Sequence, residues 1–439
     1  MMNLIVYILG LLGVWGTYFT SGPTFYVFVV FFLVHFILYP AKRAFSPLSI
    51  FYAYYGLWYV VAPLYAGRYQ DKLFLAEYSL SVAMVYTVFG LGILAIRLGA
   101  KSGQKCADLK LCAKDENPQH FSYKVDNLKY VISFLYVTST VLVFMIIYSS
   151  GGVTKWIENQ GDAFLNRAGS GVYVVLSHFS SILLALLSGY FAYNQRRILY
   201  LYLFFVWVFL TCPVHGSKMQ ISLLIILACL PWLREMRLKS FRSMLLYGLL
   251  VVVFLVGLYS RSQHVDFATV AKSSLNYFST LENLAVSVRD FEPSFLKTFF
   301  LPFEKFKTPI GLSRPDLYYD MNHYLTDIYY PEAWKIRATE QWPVETDMYL
   351  NFKFYFGLPL VFFYLWILGY FYGRAIKKNN LGQWGVSFLM TITMISHLRG
   401  SLINHIDFYM YPFILILYVI LRKFSFSSEF YQREKGFLS

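Results

Sequence analysis

Apolar segments of roughly 14–22 residues recur along almost the whole chain, separated by short polar stretches. A helix rises about 1.5 Å per residue, so about 20 apolar residues cross a hydrocarbon core about 30 Å thick. The pattern therefore predicts an all-α polytopic membrane protein with about twelve transmembrane helices. The predicted spans lie at about 3–19, 24–40, 48–66, 79–96, 130–149, 172–193, 198–211, 219–233, 244–260, 354–373, 383–398 and 406–421.

One polar stretch is much longer than the others and divides the chain into three regions. Residues 1–260 hold predicted helices one to nine, residues 261–353 form a 93-residue loop, and residues 354–439 hold the last three helices and a tail. Loops of this length in compact proteins are usually functional. We therefore expect the chemistry of the protein to involve this loop.

The long loop has two parts of different character. Apolar residues recur at helical spacing from Phe267 to Val288, which predicts an amphipathic helix that ends before Pro293 and lies on lipid or on neighbouring spans. The second part, Gly311–Val344, is rich in Tyr, Asp, Asn and His. This mixture is typical of carbohydrate-binding surfaces and also of aromatic belts at membrane interfaces, so composition alone leaves both interpretations open.

Composition agrees with a membrane protein, and the distribution of cations orients it. Hydrophobic residues make up 57% of the chain and charged residues only 14%, against about 25% charged in a soluble domain. A net charge of +14 would suggest nucleic acid in a soluble protein, but Lys and Arg of membrane proteins collect in cytoplasmic loops. With both termini in the cytoplasm, the inner loops and tail carry 22 cations and the short outer loops six. Residues 97–129 are then a basic cytoplasmic loop, the long loop is outside, and no nucleic-acid partner is expected.

The cysteines and histidines form no metal-binding pattern. Cys106 and Cys112 fall in the predicted cytoplasmic loop without zinc-type spacing, and the eight histidines include no HExxH motif. The chain also lacks the GxxxxGK(S/T) loop that binds nucleotide phosphates. Asn3–Phe19 has neither a basic leader nor a small-residue cleavage site, so it is predicted to stay as the first span. We expect no metal and no cofactor.

Five outer cations lie near the ends of predicted spans: Arg167, Lys218, Arg261, Arg289 and Arg399. Each alone is explained by a side chain that reaches lipid phosphates. Three of them lie beside glycines, which admit close backbone approach, and guanidinium groups bind phosphate oxygens bidentately. As a set they favour a site for a lipid diphosphate, the anion available at that surface.

Acids and histidines of the outer face are candidates for deprotonating a substrate hydroxyl. Most acids in a large outer loop are simply solvated. Glu345 and Asp347 differ because they directly precede the tenth span, where a substrate at the interface would lie. Asp320 and His323 belong to the tyrosine-rich part of the loop.

Four short motifs are spaced along the outer loops. They are Arg-x-Gly-x-Gly at Arg167, Gly216-Ser217-Lys218, the segment Pro343-Val344-Glu345-Thr346-Asp347, and Arg399-Gly400. Together with about a dozen spans, inside termini and one large outer loop before the last three spans, this order resembles the O-antigen polymerases, the Wzy-type polymerases of oligosaccharide repeat units. A second large outer loop, which some members have, is missing, since the loop at 150–171 has only 22 residues.

The resemblance implies a GT-C-like glycosyltransferase of the bacterial inner membrane that uses no metal. Such an enzyme takes undecaprenyl-diphosphate-linked oligosaccharide at the periplasmic face and moves the growing chain onto the next unit. The resemblance implies catalytic roles for Arg167, Lys218, Arg289, Glu345 and Arg399, with Glu345 as the first choice of base ahead of His323 and Asp347. It implies substrate-binding roles for Arg261, His264, Arg314, Asp320, His323, Thr346 and Asp347. The implied partners are a Wzz-type chain-length regulator, the flippase of the same pathway and membrane lipid.

Three other functions stay open from the sequence. An O-antigen ligase would share the topology and the donor, and would use an outer Arg/His pair such as Arg261 and His264. A lipid-linked oligosaccharide flippase, a transporter, is disfavoured because few ionisable residues lie inside the predicted spans. A membrane O-acetyltransferase is disfavoured because we find no buried histidine suited to cytosolic acyl-donor chemistry.

Overall fold

The structure is a computed structural model that describes residues 2–65, 72–109, 125–158, 163, 171–215, 218–245, 247–248, 251–252, 274–278, 280–307, 318–335 and 339–426. Within these residues the protein is helical and contains no strand, only isolated bridges. The helices are α1 (Met2–Phe19), α2 (Thr24–Leu38), α3 (Pro47–Gly56), α4 (Ala62–Tyr65), α5 (Ala76–Asp108), α6 (Val125–Ser149), α7 (Gly152–Glu158), α8 (Gly171–Asn194), α9 (Leu199–His215), α10 (Lys218–Ala228), α11 (Leu230–Leu233), α12 (Thr280–Asp290), α13 (Met321–Tyr329), α14 (Pro331–Lys335), α15 (Val344–Phe352), α16 (Leu358–Lys378), α17 (Leu381–Leu398) and α18 (Asp407–Leu421).

The long apolar helices are consistent with a protein embedded in a membrane. Among the described residues, four helices are long and apolar enough to cross one: Ala76–Asp108, Leu128–Ser149, Gly171–Asn194 and Tyr355–Lys378. Shorter apolar helices occur at Leu4–Phe19, Thr24–Leu38, Leu199–Thr211 and Asp407–Leu421. The prediction of a helical membrane protein is confirmed in this coarse form. The count of twelve spans and the outer position of the long loop stay predictions.

One predicted boundary differs from the structure. Helix α5 continues to Asp108, so residues 97–108 of the predicted cytoplasmic loop are helical. This part of the helix contains the polar residues Lys101, Gln104 and Lys105. Hydropathy marks where a span leaves the membrane, whereas the helix ends where its backbone hydrogen bonds stop. Most of the predicted span 244–260 lies outside the described residues.

The chain forms two compact units, of which the first contains the long loop. It comprises Met1–Gly103, Met236–Gly373 and Thr391–Met410. In this unit α5 and α16 approach each other through glycines. A Cβ atom added at Gly99 would lie 2.0 Å from the backbone oxygen of Trp366, and one added at Gly369 would lie 2.2 Å from that of Ile96. Only glycine allows this backbone-to-backbone contact, a device common between membrane helices.

The second unit uses the same device and one buried cation. It comprises Gln104–Glu235, Arg374–Met390 and Tyr411–Ser439. A Cβ atom at Gly189 would lie 2.0 Å from the backbone oxygen of Ala228. Arg234 is only 2% exposed, and its guanidinium group lies 3.7 Å from the centre of the Phe426 ring. The cation thus fixes the segment that follows α18.

The described part of the predicted amphipathic helix consists of a 3-10 turn, Leu275–Phe278, and helix α12, so its first described turn is not α-helical as predicted. The apolar residues Leu281, Leu284 and Ala285 of α12 are fully buried, and the helix contacts α15. It ends at Asp290, ahead of Pro293 as predicted. Its apolar face therefore packs on another helix of the long loop.

We expect Gly369→Leu to destabilise the protein strongly, because the added side chain meets the α5 backbone, which has no rotamer with which to yield. Overpacking of this kind costs about 1–3 kcal/mol or more. The measurement is the thermal unfolding midpoint of the detergent-solubilised protein. Gly16→Leu is the matched control, since nothing lies within 4 Å of a Cβ atom at exposed Gly16 in α1. Equal midpoints for the two variants would contradict the glycine contact.

Candidate functional site

The site is built on α15, a nine-residue helix that carries three of the predicted site residues. Pro343 precedes its first turn, where the amide hydrogen that proline lacks is not needed. Lys353 follows it in the left-handed conformation at φ 45° and ends the helix. Glu345 and Thr346 are 0% exposed and Asp347 is 4% exposed. These acids are therefore not the solvated groups usual in a large loop.

Glu345 is held by two tyrosine hydroxyls. Tyr55 donates a hydrogen bond to Oε1 at 3.0 Å and Tyr59 donates one to Oε2 at 3.3 Å. The two tyrosines are four positions apart and so share a face, Tyr55 at the end of α3 and Tyr59 in the following π-helical turn, Leu57–Val61. Single π-helical turns occur often at functional sites.

Burial of the Glu345 carboxyl raises its pKa to about 7, although the two tyrosine hydrogen bonds act in the opposite direction. An acid normally titrates well below neutral pH because water stabilises its anion, and burial removes that water. A group whose pKa is near 7 can both accept and release a proton at neutral pH. The pKa of Glu345 therefore suits proton transfer at neutral pH.

Arg399 lies in a turn that follows α17 and is fixed by side chains of other segments. The Tyr54 hydroxyl donates a hydrogen bond to the backbone oxygen of Leu398 at 2.8 Å. Asn322 Nδ2 donates one to the backbone oxygen of Arg399 at 3.2 Å. A Cβ atom at Gly400 would lie 3.2 Å from that same Nδ2 atom, so glycine lets the amide approach.

The Arg399 guanidinium group is a partly buried cation. Its Nε atom is buried and has no hydrogen-bond partner among the residues that the structure describes. Within the same residues it forms no salt bridge, although it acts electrostatically on Tyr54, as Glu345 also does. Tyr54 thus lies within the fields of both groups. A buried donor without a partner is costly, and an anionic ligand would remove that cost.

Asp347 joins α15 to the loop after Arg399. Its Oδ1 atom accepts a hydrogen bond from Asn351 Nδ2 at 2.7 Å, and its Oδ2 atom accepts one from the Leu402 amide at 3.0 Å. Burial raises the pKa of Asp347 to about 6. Glu345 and Asp347 are two positions apart on a helix, so they point to different sides of α15.

The loop after Arg399 is also tied to α17 and α18. His397 Nε2 lies 3.3 Å from Asp407 Oδ1, and His397 Nδ1 lies 3.3 Å from the backbone oxygen of Ser401. The Tyr364 ring packs edge-on against the histidine, with ring centres 5.0 Å apart. These contacts fix the direction in which the loop leaves α17.

Asp320 and His323 form a second polar group on the tyrosine-rich part of the loop. Asp320 caps α13 by accepting a hydrogen bond from the His323 amide at 2.9 Å. Its other oxygen lies 3.9 Å from His323 Nε2 and 3.9 Å from His405 Nδ1. Burial lowers the pKa of His405 to about 4. The Trp334 ring lies 5.0 Å from that of His323, so rings and a carboxylate occur together here, as carbohydrate-binding surfaces require.

The remaining predicted residues are not brought to Glu345 by the described contacts. Arg289 Nε donates to Asp290 Oδ1 at 2.7 Å at the exposed end of α12, which lowers the pKa of that aspartate. Lys218 is the first residue of α10, and its side chain is outside the described part. Arg167, Arg261, His264 and Arg314 lie outside the described residues.

Five residues of the site were not predicted from the sequence: Tyr54, Tyr55, Tyr59, Asn322 and Asn351. Tyrosines in an apolar run resemble ordinary interfacial residues. The signal that was available is the spacing of Tyr55 and Tyr59 on one face of a predicted span. Nothing in the sequence connects that face to Glu345, because the pair is 290 positions apart.

The described residues contain no cluster of three or more His, Cys, Asp or Glu side chains placed to hold a metal ion. Searches against protein-family models, curated proteins and solved structures give no match to the chain.

We predict that Glu345→Gln removes a pH dependence of stability. The raised pKa means that the folded state binds the proton more tightly, so Glu345 favours folding least above pH 7 and most below its ordinary pKa near 4.5. The difference is about 3 kcal/mol. Thermal unfolding in detergent at pH 5 and pH 8 is the measurement, and the variant should gain on the wild type as pH rises. Glu332→Gln is the control, since Glu332 is 81% exposed. A constant difference between variant and wild type would show that Glu345 is not buried.

Proposed function

We propose that the protein is a membrane glycosyltransferase that polymerises polyprenyl-diphosphate-linked oligosaccharide repeat units in O-antigen synthesis. The observation that carries the proposal is that a fully buried Glu345, whose pKa is near neutral, and an Arg399 with an unsatisfied buried donor both act on Tyr54. Glu345 can accept the proton of a substrate hydroxyl, and Arg399 can stabilise an anionic leaving group. Glycosyl transfer from a lipid diphosphate needs both.

In the proposed reaction the acceptor hydroxyl oxygen attacks the anomeric carbon of the donor sugar. Glu345 takes the hydroxyl proton as the new glycosidic bond forms. The bond between the anomeric carbon and the diphosphate oxygen breaks, and its electron pair leaves with the diphosphate. Arg399 neutralises the charge that develops on this leaving group, an effect that is larger away from water.

The other residues have supporting roles in this proposal. Asp320 and His323, with the Trp334 ring, would contact sugars of the repeat unit. Thr346 and Asp347 would act next to Glu345, from the same turn of α15. Contacts with the diphosphate or the sugars stay predictions for the other predicted residues, Arg167, Lys218, Arg261, His264, Arg289 and Arg314.

The proposal places the reaction at the periplasmic face of a bacterial inner membrane, with both termini in the cytoplasm. The proposed partners are a chain-length regulator and the flippase that delivers the lipid-linked unit. The apolar helices support the membrane setting, and the order of outer-loop motifs supports the choice of family.

Deletion of the gene should leave lipopolysaccharide that carries a single repeat unit. A polymerase acts after export of the unit and before ligation, so only elongation is lost. Gel electrophoresis of lipopolysaccharide from the deletion strain is the measurement. Complete loss of O-antigen would contradict the proposal and indicate a ligase or a flippase.

In the same strain, Arg399→Ala and Glu345→Gln should reproduce the deletion pattern while the protein persists in the membrane. Loss of one group that stabilises developing charge costs about 100-fold or more in rate. Lys335→Ala is the control, because Lys335 is 67% exposed and pairs with Glu332. Wild-type ladders from both site variants would overturn the assignment of Glu345 and Arg399.

A further inference from the structure

A cavity of about 120 Å³ lies on the Asp347 side of α15, away from Glu345. Its polar lining includes Asp347 and Thr298, and its apolar lining includes Phe299, Phe352 and Leu360. Leu360 is 47% exposed, so the cavity reaches the surface beside it. Since Leu360 lies in the first turn of α16, this opening is at the end of an apolar helix long enough to cross a membrane.

The polar lining of the cavity offers one carboxylate acceptor, that of Asp347, and the hydroxyl groups of Thr298, Tyr364 and Ser401. The Asp347 carboxylate lines the cavity and accepts hydrogen bonds from Asn351 and Leu402, with a further one from the Ser401 side chain. The Thr298 hydroxyl accepts a hydrogen bond from Asn351 Nδ2 at 2.8 Å, which leaves its own proton for donation. A ligand group that carries a donor for Asp347 and an acceptor for the Thr298 hydroxyl therefore matches this part of the lining.

Aromatic and aliphatic side chains form most of the remaining wall, and the volume of the cavity limits the size of the group. Phe299 and Phe352 meet edge to face, with ring centres 5.8 Å apart. Leu360 lies at the rim, beside the opening. A cavity of about 150 Å³ holds a ring of benzene size. This one accepts about five non-hydrogen atoms and is too small for a whole sugar ring.

We propose that this cavity is a subsite for the acetamido group of an N-acetylated sugar. The amide N–H of such a group donates to Asp347, its carbonyl oxygen accepts from Thr298, and its methyl group packs on Phe299 and Phe352. A hydroxyl alone would leave the aromatic wall uncovered, and a hydrocarbon branch would make no hydrogen bond to the carboxylate or to the hydroxyls of the lining. The inference rests on the proposed function, to which it adds the class of sugar that the enzyme selects.

The test is binding of simple glycosides to the purified full-length protein in lipid nanodiscs. Methyl N-acetylglucosaminide and methyl N-acetylgalactosaminide are compared with methyl glucoside by saturation-transfer NMR and by titration. We expect the acetyl methyl resonance to receive the largest saturation and methyl glucoside to bind about tenfold more weakly, because it lacks the donor, the acceptor and the methyl group together. Equal binding of methyl glucoside, or no binding of either acetamido sugar, overturns the proposal.

Leu360→Trp fills the cavity from its exposed rim and should weaken acetamido binding about tenfold or more. Phe363→Trp is the matched control, since Phe363 lies in the same helix, is 59% exposed and does not line the cavity. Unchanged binding in Leu360→Trp overturns the proposal. Binding is measured without turnover. Loss of binding would therefore overturn the acetamido subsite and leave the lipopolysaccharide pattern of the deletion strain unchanged. Complete loss of O-antigen in that strain would overturn the proposed function and leave the binding unchanged.

Discussion

The arrangement of the first unit depends on the burial of one carboxyl group, that of Glu345, under the hydroxyls of Tyr55 and Tyr59. Taking a carboxyl group out of water is unfavourable for its anion, and two neutral donors repay only part of that cost. The consequence is chemical as well as structural, because the pKa moves to about 7. The same contacts tie α15, at the end of the long loop, to the π-helical turn Leu57–Val61.

The same unit contains a second charged group, Arg399, which acts electrostatically on Tyr54 as Glu345 also does. Asp347, on the other side of α15, holds the loop through the Leu402 amide, and Asn322 holds the backbone of Arg399. Glycine contacts bring α5 and α16 into backbone contact. Arg399 is therefore presented by a fixed turn with its Nε atom unsatisfied. Such preorganisation is what stabilisation of a leaving diphosphate requires.

The sequence predicts local features of this protein well and long-range contacts poorly. Apolar runs locate the long helices because a membrane imposes length and composition on each segment independently. Glu345 and Asp347 are recognised because they precede an apolar run, but their burial is not, since it depends on Tyr55 and Leu402 far away in the chain. The separate helix α15 was also missed, because its end is set by left-handed Lys353, a residue with no special preference for that conformation.

Reconstitution tests the central claim most directly. The purified protein is placed in liposomes with the lipid-linked repeat unit extracted from a deletion strain, and the products are followed by mass spectrometry. The account predicts dimers and longer chains, with one polyprenyl diphosphate released for each new linkage, and no elongation by Glu345→Gln. Absence of elongation by the wild-type protein, or transfer only to a lipid A–core acceptor, would contradict it.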